Sequence, residues 1–240
     1  VIIKQKKISE IKNDFINNMT HEFKTPISTI SLACEALTDK DMSGDADPDN
    51  PFVKMIREEN KRLESLVESI LQSAVIEKGE LKIKNQSLDL HEILTQVVKN
   101  AKLRVHASHG ELHLHLNAAH HHVDGDAMHL TNVFANLLDN AIKYCDKAPY
   151  IEVKTSNEHG GWFVCEISDN GIGIKKEHQA RIFEKLYRVP TGNVHNVKGF
   201  GLGLSYVKTI IDLHDGKIDV ESQLGHGSTF KIKLKHHGKL

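Results

Sequence analysis

The chain has 240 residues, 39% of them hydrophobic and 26% charged, with a formal net charge of −1. That length accommodates one large domain or two smaller ones, each with its own core. The near-neutral charge excludes a global field drawing the chain to nucleic acid or to an acidic membrane, and no apolar run approaches the roughly 20 residues that span a bilayer. Three scattered cysteines, Cys34, Cys145 and Cys165, fit a reducing compartment better than a disulfide framework. The start, Val1-Ile2-Ile3 followed by Lys4-Gln5-Lys6-Lys7, reads as a charged helix rather than a signal peptide. Because no methionine opens the sequence, an upstream segment is expected.

From Ile8 to about Lys78 the apolar spacing is helical. Ile8, Ile11, Phe15, Met19, Phe23, Ile27, Ile30, Cys34 and Leu37 follow one another at steps of three or four, the signature of one buried stripe. The stretch from Thr38 to Pro51 breaks the pattern with Gly44, Pro48, Pro51 and five aspartates. It resumes at Phe52, Ile56, Leu63, Leu66, Ile70 and Ala74. Two long amphipathic helices joined in this way form an antiparallel hairpin. One hairpin cannot cover its own stripe, so a homodimeric four-helix bundle is expected.

From about Asn85 the character is mixed. Leu88–Ala107 reads as a helix, Glu111–Asn117 as a strand, and Asp126–Tyr144 as a helix opened by an aspartate cap. Tyr150–Ser156 and Gly161–Ser168 read as paired strands, Leu202–His214 as a helix, and Lys217–Ser222 and Ser228–Leu234 as strands. Lys175–Phe200 is a long connection with short helical pieces. The expected class is α+β: a helical-hairpin dimerisation domain over 1–83, then an α/β two-layer sandwich over 84–240. Helices should cover one face of a mostly antiparallel sheet.

On the first helix, His21 is two residues from Met19 and from Phe23. At 3.6 residues per turn it lies about 200° from each, so it faces solvent. Pro26 has no N–H to bond the carbonyl of Glu22, and the helix should loosen there. An exposed histidine beside a carboxylate suits nucleophilic chemistry, because the carboxylate can accept the imidazole proton. Thr25 lies one turn on. An idle surface histidine fits these residues equally well.

Further along, Asn136, Asn140 and Lys143 share one polar helix face. Amide oxygens can ligate Mg2+ and a lysine can neutralise phosphate. Asp169-Asn170-Gly171-Ile172-Gly173-Ile174 follows a strand. Its glycines permit a tight turn with close ligand approach, and its carboxylate can accept a hydrogen bond from an amino group. Lys198-Gly199-Phe200-Gly201-Leu202-Gly203-Leu204 opens a helix, where backbone N–H groups can hold an anion. A long loop precedes it, so it fails as a dinucleotide fingerprint, and no phosphate-binding P-loop sequence exists in the chain. Gly225-His226-Gly227-Ser228-Thr229-Phe230 precedes the last strand.

In this order the segments resemble the sensor histidine kinases of two-component systems over essentially the whole chain. Residues 15–27 resemble that family's H box, with His21 in the phospho-acceptor position. Asn136 to Tyr144 resembles the N box, Asp169 to Ile174 the G1 box, and Gly199 to Leu204 the G2 box. Ile182 to Arg188 resembles the F box, with Leu186 where many relatives have phenylalanine. The resemblance implies ATP and Mg2+ as cofactors. Asn140 would hold Mg2+, with Asn136 in support, and Lys143 and Arg188 would contact phosphates. Tyr144 would lie near the adenine, Asp169 would receive its amino group, and Thr229 would act through a water. Gly171, Gly173, Ile174, Gly199, Gly201, Leu202, Gly203 and Leu204 would complete the ATP site. Residues 175–200 would form a lid. Glu22 would be the base for His21, and Thr25 would orient water when a response regulator is dephosphorylated.

The same ATP fold serves gyrase-type, chaperone and mismatch-repair ATPases, where a glutamate at the first N-box position activates water. Here that position is Asn136, which cannot act as a base. Phosphoryl transfer to protein is therefore favoured over hydrolysis; an ATP-binding scaffold without chemistry is the alternative. Implied partners are a second copy of the chain and a response regulator receiver domain, docking around Phe52–Leu71, with no nucleic acid. The resemblance also implies the cytoplasmic portion of a bacterial sensor whose membrane anchor lies upstream. The chain has 17 histidines, and His106, His109, His113, His115, His120, His121, His122 and His129 crowd one region. No Cys or carboxylate stands among them at metal-ligand spacing, so a solvated face is expected there. His236 and His237 carry no evident role.

Overall fold

The computed structural model describes residues 2–38, 50–77, 81, 83–189 and 201–237; the side chains of 2–15, 17, 18, 21, 69, 72, 73, 76 and 77 lie outside the description. The chain divides near residue 80 into two compact units.

The first unit is a hairpin of α1 (Ile2–Thr38) packed on α2 (Pro51–Glu77). Asn50 caps α2, its Oδ1 accepting from the Phe52 N–H at 2.9 Å. Pro51 takes the first helical position, where an N–H has no intrahelical partner. The stripe on α1 divides. Pro26 and Ala33 are buried, and Met19, Phe23, Ile30 and Leu37 are partly covered. Ile27 and Cys34, expected on the buried face, are exposed, as is Ile16. Met55, Val67, Leu71 and Val75 leave apolar surface open on α2. The apolar arc is wider than one neighbouring helix can cover. Helix α1 runs unbroken through Pro26, although the Glu22 carbonyl lacks its usual donor there. Thr20 and Thr29 donate their hydroxyls back to the carbonyls of Ile16 and Thr25 at 2.9 and 3.0 Å, a pattern that bends helices gently.

The second unit has a five-stranded sheet in the order β2-β4-β5-β7-β6. Its strands are β2 (Glu111–Leu116), β4 (Tyr150–Glu158), β5 (Trp162–Asp169), β6 (Lys217–Gln223) and β7 (Gly227–Lys235). β2 and β4 pair in parallel and the rest antiparallel. Two further strands, β1 (Gln86–Asp89) and β3 (His122–Gly125), form a separate antiparallel ribbon. The helices are α3 (Leu90–Ala107), α4 (Ala127–Lys143), the short α5 (Lys176–Gln179) and α6 (Gly203–Leu213).

Alternation along the strands sorts the two sheet faces. Ile151 and Val153, Phe163, Cys165 and Ile167, and Phe230, Ile232 and Leu234 are buried against the helices, beside Leu90, Leu94, Leu130, Phe134, Leu137, Leu138, Ile210 and Ile211. Glu152, Lys154, Glu166, Lys231 and Lys233 stand on the other face. Leu88, read from the sequence as helical, belongs instead to β1. Asp89 is the N-cap of α3, and its carboxylate accepts from His91 N and Glu92 N, which starts the helix at Leu90.

On the outer face Glu158 pairs with Lys231 at 2.8 Å and Lys233 at 2.6 Å. Hydrogen bonds from these two lysines hold its carboxyl down at about 2. A depressed carboxyl stabilises the fold above its ordinary value of 4.5 and loses that contribution as pH falls toward about 2. Because the pair is exposed, its worth is small. Glu158→Gln should lower the melting midpoint by about 1–3 °C at neutral pH, with the gap narrowing as acid is added. Melting curves at several pH values check this, and a gap independent of pH would contradict it.

Candidate functional site

Asp126 fixes where α4 begins. Its Oδ1 accepts from Met128 N and His129 N, and its Oδ2 from Lys84 N. The Asp126 N–H donates to His214 Nε2 at 3.0 Å, while His214 Nδ1 lies 2.7 Å from the Ile210 carbonyl. Burial pushes the His214 ring below its ordinary value, in keeping with a neutral ring that accepts at Nε2. The start of α4 thus meets the end of α6. At the other end of α6, a Cβ on Gly203 would lie 3.0 Å from Asn136 Oδ1. The two helices therefore run antiparallel, and α6 opens beside the polar face of α4.

On that face Asn136 donates to the Asn132 carbonyl at 2.8 Å. Asn140, one turn on, is half-buried, and its side-chain amide has no hydrogen bond to a described residue. Lys143 is exposed, with Nζ 5.2 Å from the centre of the Tyr144 ring. Tyr144 caps the helix. Burial pushes its hydroxyl above the ordinary value, opposed by the nearby Arg188 charge.

Asp169 ends β5 beside this helix terminus. Its Oδ1 accepts from Gly171 N at 2.8 Å and Ser228 N at 3.2 Å. Its Oδ2 accepts from no described residue. Burial raises its carboxyl above the ordinary value, against the downward pull of the two amides. A fixed, half-desolvated carboxylate with one oxygen open is a selective acceptor for an N–H donor. Thr229 Oγ1 lies 2.9 Å from Ser168 Oγ on the neighbouring strand.

Glycine is required at two points of this junction. A Cβ at Gly173 would lie 2.0 Å from the Gln223 carbonyl, and one at Gly227 would lie 1.9 Å from the Asp169 carbonyl; both residues have positive φ. Ile174 N donates to Ser222 Oγ at 2.7 Å, so the turn is tied to the end of β6.

Of the residues read as an F box, Ile182 is buried, and Phe183 meets the Phe230 ring edge-on at 6.5 Å. Leu186 has φ +65, a left-handed conformation uncommon for a side-chain-bearing residue. Tyr187 OH bonds His178 Nδ1 at 2.7 Å. Gly201 has φ +71, Leu202 is buried, and Leu204 is half-buried on α6. Gly199 and residues 190–200 of the expected lid lie outside the described residues.

In the hairpin, Glu22 accepts from Arg62 Nη2 of α2 at 3.1 Å, and Thr25 is exposed. The His21 backbone is helical; its side chain lies outside the described residues.

Sequence reasoning gave no part to Asn170 or Ser222. Asn170 Oδ1 accepts from Tyr150 N and from Cys145 Sγ, and its Nδ2 donates to the Ala148 carbonyl. It braces the loop that follows α4. Ser222 Oγ donates to the Gly227 carbonyl and meets Ser228 Oγ. Asn170 was visible within its motif, whereas no sequence signal marked Ser222. One expectation is corrected. A carboxylate does stand among the histidines: Asp89, brought by strand pairing, lies 2.7 Å from His121 Nδ1. It stands 32 residues away along the chain, so local spacing could not show it.

Residues 11–79 match the family model of the His Kinase A (phospho-acceptor) domain. Residues 125–238 match that of the histidine kinase-, DNA gyrase B-, and HSP90-like ATPase. The class is thus a phospho-acceptor hairpin followed by an ATPase fold of the gyrase and HSP90 kind. Over 238 residues the chain is 46% identical to the sensor protein RprX of Bacteroides fragilis, covering 98% of this chain and 45% of RprX. The chain belongs to the sensor histidine kinases, and it spans less than half the length of the curated relatives it matches. Full-length ShkA in complex with AMPPNP has a TM-score of 0.69 at 23% identity, over 95% of this chain and 47% of that one. ThkA in complex with the response regulator protein TrrA has a TM-score of 0.65 at 20% identity, over 97% and 64%. At such identities the likeness concerns the fold. Among the described residues no helix is long and apolar enough to cross a membrane.

Gly173→Ala should cost about 1–3 kcal/mol through backbone strain alone, and the clash with the Gln223 carbonyl should displace the turn. The expected result is a melting midpoint lowered by several degrees and weakened nucleotide binding. Calorimetry and a nucleotide titration check this; a variant unchanged in both would contradict the packing described.

Proposed function

We propose that the chain is an ATP-dependent protein histidine kinase that phosphorylates His21 and passes the phosphoryl group to an aspartate of a response regulator. The observation that carries this reading is the union, in one chain, of the Asp169 junction with a His21-Glu22 helix matched as a phospho-acceptor domain. The functional units would be 1–83 for phosphotransfer and 84–240 for ATP binding.

In this reading Asp169 Oδ2 accepts the amino group of adenine, Tyr144 lines the base, and Thr229 acts through a water. Gly171, Gly173 and Ile174 form the turn that admits the base, and Lys143 and Arg188 contact phosphates. Gly199, Gly201, Leu202, Gly203 and Leu204 bring main-chain N–H groups to the phosphates at the opening of α6. The donor set fits a magnesium ion carried by the nucleotide, because the Asn140 amide, with no hydrogen bond to a described residue, presents an oxygen, with Asn136 one turn away. Bound there, the ion would neutralise phosphate charge.

The chemistry balances within the named groups. A lone pair on one His21 ring nitrogen forms a bond to the γ-phosphorus. The bond from that phosphorus to the β,γ-bridging oxygen breaks, and ADP leaves with the electrons. The proton on the other ring nitrogen passes to Glu22, whose carboxylate Arg62 anchors. Asn136 cannot activate water as a glutamate would, which supports transfer over hydrolysis. Exposed Thr25 would position water for phosphatase action on the regulator. The structure of ThkA with a response regulator supports a receiver domain as partner. The apolar surface left open at Ile16, Ile27, Val67 and Leu71 supports a homodimer. The kinship with the sensor protein RprX supports a membrane anchor upstream of Val1.

With ATP and Mg2+ the chain should gain a phosphate that is labile in acid and stable in base, and should sediment as a dimer. His21→Gln should abolish the label while leaving nucleotide binding within about twofold. A label that survives this substitution would refute the assignment, and an intact chain that binds ATP but never labels would favour the scaffold.

A further inference from the structure

We propose that Asp89, His121 and His122 form a binding site for one divalent transition-metal ion of the zinc type. The site goes beyond the kinase reading and does not depend on it. It lies on the β1–β3 ribbon, where Asp89 stands directly across from His122. Facing side chains of an antiparallel pair have Cβ atoms about 4.5–5.5 Å apart. His121 precedes β3 in irregular backbone, so strict alternation does not turn it away from its neighbour. The His121 and His122 rings lie 4.7 Å apart between centroids. One donor atom from each of the three residues lies within 4.8 Å of the others. A tetrahedral ion with bonds of 2.0–2.1 Å holds its ligands about 3.3 Å apart, a closure that side-chain rotation supplies.

The surroundings are built. Asp89 Oδ1 accepts from the amides of His91 and Glu92, which holds the carboxylate in place and leaves Oδ2 without a described donor. The Leu90 N–H bonds the His121 carbonyl at 3.0 Å, and the His237 N–H bonds the His122 carbonyl at 2.8 Å, so the main chain of both histidines is fixed. The His91 ring stacks on His121 at 4.1 Å and 8°, and its Nε2 lies 3.0 Å from Thr155 Oγ1. Such outer contacts orient ligand rings in metal sites. Two imidazoles and a carboxylate are donors that zinc accepts, and three protein ligands leave a position for water. Asp89 Oδ1 and His121 Nδ1 lie 2.7 Å apart; an ion held between them would take the place of that hydrogen bond.

His113 and His115 differ in kind. They pair separately with Glu111 and Glu152 on the solvent side of the sheet. The proposed site is also remote from the nucleotide residues. His236, stacked on His120 at this end, stands just past the end of β7 and seven residues from Thr229, about 23 Å of extended chain. An ion here would clamp the ribbon to the start of α3 and take no part in phosphoryl transfer.

The test titrates the untagged chain with Zn2+ alone by calorimetry, and with Co2+ followed by visible absorption. One equivalent should bind with a dissociation constant on the order of micromolar or tighter, and Zn2+ should raise the melting midpoint. His122→Ala, at an exposed position, and Asp89→Asn, which keeps a competent helix cap, should each weaken binding about tenfold or more. His113→Ala should leave it unchanged. If Asp89→Asn fails to fold, His122→Ala decides. No saturable binding, equal affinity in His122→Ala, or equal loss in His113→Ala would each overturn the proposal.

Discussion

The second unit is organised around the Asp169 carboxylate. Two main-chain amides fix one of its oxygens. One amide comes from the turn after β5 and the other from the first residues of β7. The group therefore staples a turn to a strand start, while its second oxygen has no partner among the described residues. Buried carboxylates are costly without such donors, and here two amides offset part of the cost. The other oxygen accepts from no described residue, and in the function proposed it is the one that meets the ligand.

The constraint spreads outward through steric necessity. The turn after Asp169 passes so close to Gln223 and to the Tyr144 carbonyl that a side chain at Gly173 or Gly171 would collide with backbone. Gly227 is fixed in the same way by the Asp169 carbonyl. The end of α4 is then held against the turn, since Ile172 N donates to the Tyr144 carbonyl at 3.0 Å. That seats the C-terminal end of α4, with Tyr144, beside the turn that Asp169 holds. Asp126 and His214 do the matching work at the far end of α4 and α6. One short turn thus sets the positions of residues from four elements.

Much of this was legible in the sequence, for physical reasons. Long amphipathic helices announce themselves by period, and α1, α2, α4 and α6 lie close to where spacing put them. Glycines crowded by backbone are conspicuous, and so is an aspartate ending an apolar strand. The misses came from tertiary pairing. Asp89 fell in the first turn of a helix read from Leu88, and its side chain proved to be the cap. β1 and β3 are four residues each, too short to show alternation. Ile27 and Cys34 carry the right period for burial, yet the stripe is wider than its neighbour in one chain. Ser222 acts through an oxygen that no motif marks, and Asp89 meets His121 only because two distant strands pair.

Nucleotide discrimination tests the central claim most directly, because the open oxygen of Asp169 should distinguish an amino group from a carbonyl on a purine. Equilibrium competition between ATP and GTP should show ATP bound at least about tenfold more tightly, and Asp169→Ala should collapse that preference through loss of ATP affinity. Equal affinity for the two nucleotides, or a preference that survives Asp169→Ala, would contradict the account.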